Sequence, residues 1–247
     1  MPFKSLSRAN TVSECLRDFN KRMDAWQEKV KTVYAQLHRA YAFYNIGVLD
    51  ILFLGVVTGC KTYKWSGDYY PYFVSCDGAT VDVEPLYFYK PTERLRYSRP
   101  ELYKMLMDVY NSSRSSAQEP GDERKLREDR FYIGLGYLLI PEQYKLTDIS
   151  IYYPKDKVLQ LAKKLSVAVS DVEMDVYFES SKFYALIGSC KLTYAEDVGL
   201  LISSECPKTR DFCNVVNALF EVVDSSINVF KEIVEKGINV LTTYLLY

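Results

Sequence analysis

The sequence predicts an α+β fold in which long N- and C-terminal helices pack together beside a largely antiparallel sheet formed by the middle of the chain. Three observations carry that expectation. Apolar residues recur with a 3.5-residue period from Val12 to Tyr44. A second, broader apolar stripe runs from Phe212 to Leu245. Between the two lie short aromatic or β-branched runs separated by turn residues. The 247 residues are read as one domain, with a first helix over 11–46, a mixed β/α middle over 47–206 and a helical region over 207–246.

Taken alternately four and three apart, Val12, Leu16, Phe19, Met23, Trp26, Val30, Val33, Leu37, Ala40 and Tyr44 are all apolar or aromatic. That is the period of a helix seam pressed against another helix. The middle of the seam (Phe19, Met23, Trp26, Val30, Val33 and Leu37) is therefore the candidate interface for a partner chain. The helix after Pro207 offers an internal partner instead, and its breadth favours the intramolecular pairing. Trp26 discriminates between the two. Buried against Val223 or Phe230 it belongs to a core, and exposed it belongs to an interface. Asn10, Thr11 and Ser13 supply N-cap oxygens for this helix. Its end is expected near Asn45–Gly47, where glycine permits a left-handed C-cap.

Ile46 to Val57 is apolar apart from Asp50 and two glycines, and reads as a buried strand or short core helix. Thr62–Trp65, Tyr70–Cys76, Thr80–Val83 and Leu86–Tyr89 read as strands of an antiparallel meander, with Asp77-Gly78 as a hairpin turn. Ser98-Arg99-Pro100-Glu101 fits a capping box with proline inside the first turn, opening a helix to about Tyr110. The serine-rich stretch 111–124 is expected to be an exposed loop. Phe131–Ile140 and Thr147–Tyr153 read as further strands, and Pro154 as the opening of a helix with a stripe from Val158 to Leu165. Val172, Met174, Val176 and Phe178 alternate with polar residues, the pattern of a strand with one wet face. Lys182–Ser189 and Leu200–Ser203 complete the sheet. In the last helix, Gly237 is expected to bend or end the run.

Charge excludes little but is informative. A net charge of −1 removes any global argument for nucleic acid or anionic membrane binding. The 22 tyrosines beside a single histidine, with few glutamines, resemble the composition of proteins from hot-living crenarchaea and their viruses. The six cysteines show no C-x-x-C pair, so with one histidine a zinc site of usual spacing is excluded. Most are expected to be buried thiols. In a protein of a hyperthermophile an intracellular disulfide becomes possible, and Cys60–Cys76, across a hairpin, is then the first candidate. The opening residues lack the apolar stretch of a secretory signal, so a cytoplasmic location is expected.

Catalytic chemistry finds no foothold in the sequence. The one imidazole, His38, flanks the seam of the first helix, where a solvent-edge or partner contact is expected. There is no phosphate loop, and Gly134-Leu-Gly136 sits in an apolar strand-like run, where close glycines mark a bulge or a tight crossing. A metal-dependent nuclease would need rigidly placed carboxylates with a lysine. Asp108 with Glu123-Arg124-Lys125, or Glu173 and Asp175 with Lys182, are the nearest matches. Basic and aromatic residues do interleave at Lys90, Arg94, Arg96, Tyr97, Arg99, Tyr103 and Lys104, a candidate nucleic-acid contact through phosphate pairing and base stacking.

These features point to a non-catalytic interaction or assembly subunit acting within a larger complex, with no metal or small-molecule cofactor. The expected partner is a protein, in a hetero-complex or a homo-oligomer, and nucleic acid is met through the complex. Archaeal accessory subunits of guide-directed defence complexes and viral assembly proteins share this character. The alternatives are a metal-dependent nuclease and a membrane-peripheral protein that uses its apolar C-terminal helix.

Overall fold

The computed structural model describes residues 12–57, 61–64, 72–76, 79–83, 90–115, 130–138, 147–154, 163, 172–177, 181–206 and 210–245. Helix α1 (Val12–Tyr44) is followed by α2 (Val48–Val57) and strands β1 (Lys61–Lys64), β2 (Tyr72–Cys76) and β3 (Ala79–Val83). Then come α3 (Glu93–Ser98), α4 (Pro100–Ser115), β4 (Arg130–Leu138), β5 (Thr147–Pro154) and β6 (Val172–Tyr177). Strands β7 (Lys182–Ile187), β8 (Cys190–Ala195) and β9 (Gly199–Ile202) lead to the last helix, α5 (Arg210–Leu245). The strands form one sheet in the order β1-β2-β3-β5-β4-β6-β7-β8-β9. Every pairing is antiparallel except that of β4 with β6, which is parallel at Gly134 and Asp175.

The two long helices run side by side in the same direction. Arg22 donates to Asn217 Oδ1, Trp26 to the Val223 carbonyl, Lys29 pairs with Asp224, and the hydroxyls of Tyr44 and Thr242 meet. Each pair is separated by 195–198 residues, so the offset stays constant along the full length of α1. The candidate interface residues of the seam (Phe19, Met23, Trp26, Val30, Val33 and Leu37) are only 0–2 % exposed. The apolar face of α5 and the inner face of the sheet already occupy them. In this fold they offer no area to a second chain, and the physical reason is the breadth of the α5 stripe. Each such side chain contributes roughly 1.5–3 kcal/mol by leaving water.

Helix α2 fills the space at the carboxyl-terminal half of α5. Its crossing is unusually close and reciprocal. A Cβ added to Gly55 would lie 1.8 Å from the Ile233 carbonyl oxygen, and one added to Gly237 would lie 1.9 Å from the Ile51 carbonyl oxygen. Gly237 therefore neither bends nor ends α5, which runs unbroken to Leu245. It is glycine because another backbone passes where a side chain would be.

The buried carboxylate of Asp50 pins this corner. It accepts from its own helix start at the Gly47 amide (3.0 Å), from the Thr92 hydroxyl (2.7 Å) and from the Thr92 amide (3.3 Å). Thr92 Oγ1 in turn caps α3 by accepting from the Leu95 amide. Two helix starts are thus satisfied through one carboxylate, a reciprocal cap spread across the fold. Asn45, not Gly47, takes the left-handed conformation that ends α1 (φ 54°). Its side-chain oxygen is the acceptor that Arg94 finds from α3.

The β7–β8 hairpin places its inward residues against α1. Phe183 stacks on Tyr194 at 5.8 Å between ring centroids, and Phe19 meets both rings edge-on. The Tyr194 hydroxyl accepts from Gln27 Nε2, so both buried polar ends are used. Strand β8 went unread in the sequence. Gly188, at φ 57°, supplies the tight turn that returns the chain into it. Strand β9 lies at one edge of the sheet, opposite the β1 edge, and Asn20 of α1 covers part of it by accepting from the Leu200 amide (3.3 Å).

Other local expectations are corrected. Ser98 is the last residue of α3 and its hydroxyl donates back to the Arg94 carbonyl, so it does not cap α4. Pro100 does open α4, but that helix continues to Ser115, five residues into the stretch read as loop. The rest of that stretch, 116–124, lies outside the described residues, as do the strand over 86–89 and the stripe after Pro154. Pro154 itself closes β5, opposite Arg130. The ladder between β4 and β5 slips between Gly134 and Tyr137, the bulge that the two glycines foretold. Cys190 and Cys206 form a disulfide rather than remaining thiols, because the turn after β9 returns Cys206 to the start of β8. Cys60 lies outside the described residues, so its pairing with Cys76 does too.

Candidate interaction surface

Three helix ends converge on one side of the molecule. Arg94 of α3 donates to the Tyr41 hydroxyl at 3.0 Å and to Asn45, its guanidinium 5.4 Å from the Tyr41 ring centre. Tyr244 of α5 donates to the sulfur of Met105 on α4 (3.0 Å). The carboxyl-terminal ends of α1 and α5 are thereby fixed next to α3 and α4.

Between the last turns of α1 and α5 opens a groove of about 900 Å³. Ala40, Ala42, Phe43, Tyr44 and Ile238 give it an apolar lining, and Arg39 and Glu235 flank it with opposite charge. Small residues at 40 and 42 leave the depression, and the seam's drift around α1 leaves Phe43 outside the core. Phe43 is 78 % exposed and meets Tyr44 edge-on, with ring centres 5.0 Å apart. Tyr244 and Leu245 add further exposed apolar surface at the end of α5. The side-chain oxygen of Gln36, also lining the groove, is shielded from solvent and meets no donor. The arrangement offers apolar area, one aromatic projection and a charge of each sign, which are the elements of a docking face.

The basic–aromatic residues lie close to this end but are unevenly available. Arg94 is held by α1, and Arg99 donates to the Ser98 carbonyl at 2.8 Å. Arg96 pairs with Glu93 at 3.2 Å, and that carboxylate, with Tyr103 and Tyr97 nearby, raises its pKa further. Lys90 and Lys104 are exposed, Tyr103 is half-buried, and Tyr97 stands 81 % exposed. Three of the five cations of the stretch are thus turned to internal bonds.

The nuclease candidates lie only in part among the described residues. Asp108 is exposed on α4, while Glu123, Arg124 and Lys125 lie outside the described residues. Glu173 and Asp175 stand opposite Leu186 and Tyr184 in the β6–β7 ladder, and Lys182 opposite Tyr177. Among the described residues no group of three or more His, Cys, Asp or Glu could hold a metal ion. His38 is exposed, its ring 6.3 Å from that of Tyr34. No single helix among the described residues is long and apolar enough to cross a membrane.

The groove was not visible in the sequence because the apolar period draws attention to the buried stripe. The usable signal was Phe43, an aromatic residue one step off that stripe beside two alanines. No protein-family model, curated protein or solved structure matches the chain.

Proposed function

We propose that the chain is a non-catalytic assembly subunit that docks through the groove between the last turns of α1 and α5, and that its occupant is a second copy of the chain. The observation that carries this reading is Phe43, a large aromatic side chain held out of the core beside an apolar depression. A two-fold interface must be self-complementary. Arg39 on one side of the groove and Glu235 on the other meet that requirement, since a two-fold axis sets Arg39 of each copy against Glu235 of the other. Phe43 then fills the groove opposite, an aromatic anchor in an apolar pocket.

Light scattering on the eluting peak of a sizing column tests this at micromolar concentration. The reading expects a dimer for the natural chain and a monomer for Phe43→Glu, whose far-ultraviolet spectrum stays unchanged because the side chain is exposed. A monomeric natural chain, or a dimer indifferent to Phe43→Glu, overturns it.

A further inference from the structure

Because α1 and α5 run parallel, their first turns are neighbours, and each carries a cysteine there. Cys15 is 5 % exposed and Cys213 is part-exposed. Both are free thiols, and they stand 198 residues apart, the separation at which Tyr44 of α1 meets Thr242 of α5. A disulfide needs the sulfurs about 2.05 Å apart and the Cα atoms about 4.4–6.8 Å apart. Among the described residues the chain also carries a cystine, Cys190–Cys206.

We infer that Cys15 and Cys213 form a dithiol site that a small disulfide oxidant, such as oxidised glutathione, converts into a cystine clamping the amino-terminal ends of α1 and α5. The roles of the two sulfurs follow from their surroundings. Cys213, the more accessible, attacks the oxidant as a thiolate, forms a bond to one glutathione sulfur and releases the other glutathione as a thiolate. Cys15 then attacks the Cys213 sulfur and expels the second glutathione. Two protons leave the protein thiols, and their two electrons reduce one oxidised glutathione to two thiols.

The order cannot be reversed easily. Burial pushes the Cys15 thiol up to about 12, with the hydrogen bond and charge of Cys213 and the charge of Asp18 adding to the effect and Arg22 opposing it. Cys15 is therefore a poor first nucleophile. Once Cys213 carries glutathione, its contribution to that shift is gone and Cys15 becomes the resolving thiol. The bond closes a loop of most of the chain, the geometry in which a cross-link restricts the unfolded state most.

The test uses the full chain with oxidised glutathione, quenched with N-ethylmaleimide and read by intact mass and non-reducing peptide mapping. The natural chain should yield a peptide pair joined through Cys15 and Cys213, with no alkylation at either. Cys15→Ser should instead retain one glutathione on Cys213, and Cys213→Ser should leave Cys15 unreacted. The oxidised natural chain should melt about 5 °C or more above its Cys15→Ser variant. Alkylation of both cysteines in the folded natural chain after oxidation, or persistent glutathione on Cys213, would overturn the inference.

Discussion

The indole N–H of Trp26 donates to the main-chain carbonyl of Val223 at 3.1 Å, and the hydroxyl of Ser226 donates to that same oxygen at 2.6 Å. Trp26 and Ser226 are both fully buried. One carbonyl in the middle of α5 thus receives a side chain from α1 and another from its own helix, which fixes the axial register of the parallel pair. Trp26 is the core residue that an intramolecular seam requires.

Replacing Trp26 therefore costs packing and a hydrogen bond together. Trp26→Ala is expected to lower unfolding free energy by about 3–5 kcal/mol, through the cavity it leaves. Ser226→Ala should cost far less, since Trp26 still serves the Val223 oxygen. Urea unfolding of the two variants beside the natural chain checks the ranking. Equal losses would remove Trp26 from its place as the register pin.

The crossing of α2 over α5 predicts a sign that helix propensity alone gets wrong. Alanine in place of a mid-helix glycine ordinarily gains up to about 1 kcal/mol. At Gly55 and Gly237 the new Cβ would fall within 2 Å of a carbonyl oxygen of the other helix. The helices must separate, so each substitution should destabilise by about 2–4 kcal/mol despite the better propensity. Thermal unfolding of Gly55→Ala and Gly237→Ala reads this directly, and a rise in Tm for either would show that the backbones do not meet there.

Much of this was legible in the sequence, and the misses share a cause. The bounds of α1, the sheet in the middle of the chain and the bulge at Gly134 all follow from local period and turn chemistry. Gly237 was misread because a glycine that admits a neighbouring backbone carries the same letter as one that ends a helix. The parallel direction of α1 and α5 leaves no local mark, since a seam with a 3.5-residue period suits either direction. Strand β8 does alternate, as Cys190, Leu192 and Tyr194 against Lys191, Thr193 and Ala195, but is only 6 residues long. Arg94 looked available for phosphate because Tyr41 and Asn45, its partners, lie some fifty residues earlier in the chain.

Tyr194 gives the fold a stability that depends on alkaline pH. Burial first, then the nearby charges of Asp24 and Glu196, push its phenol up to about 12, while the hydrogen bond from Gln27 opposes them. The unfolded chain releases this proton near its ordinary value of 10, so between pH 10 and 12 the folded state holds the extra proton. Stability from this group is complete below pH 10 and falls as pH rises, by about 1.4 kcal/mol per unit within that window. Denaturant midpoints of the natural chain and Tyr194→Phe over pH 9–12 isolate the effect. The natural chain should lose the greater share, and parallel pH profiles would contradict the assignment.

In the proposed dimer the opposed charges across the groove of α1 and α5 join two copies of the chain about a two-fold axis. Charge reversal at both positions tests it most directly, read as the dimer dissociation constant by analytical ultracentrifugation at low salt. Arg39→Glu alone and Glu235→Arg alone should each weaken the dimer about tenfold or more by placing like charges together. The double variant restores the pairing with its sign inverted and should recover most of that loss. If the single reversals leave association unchanged, or the double variant is as weak as the two combined, the groove is not a two-fold interface.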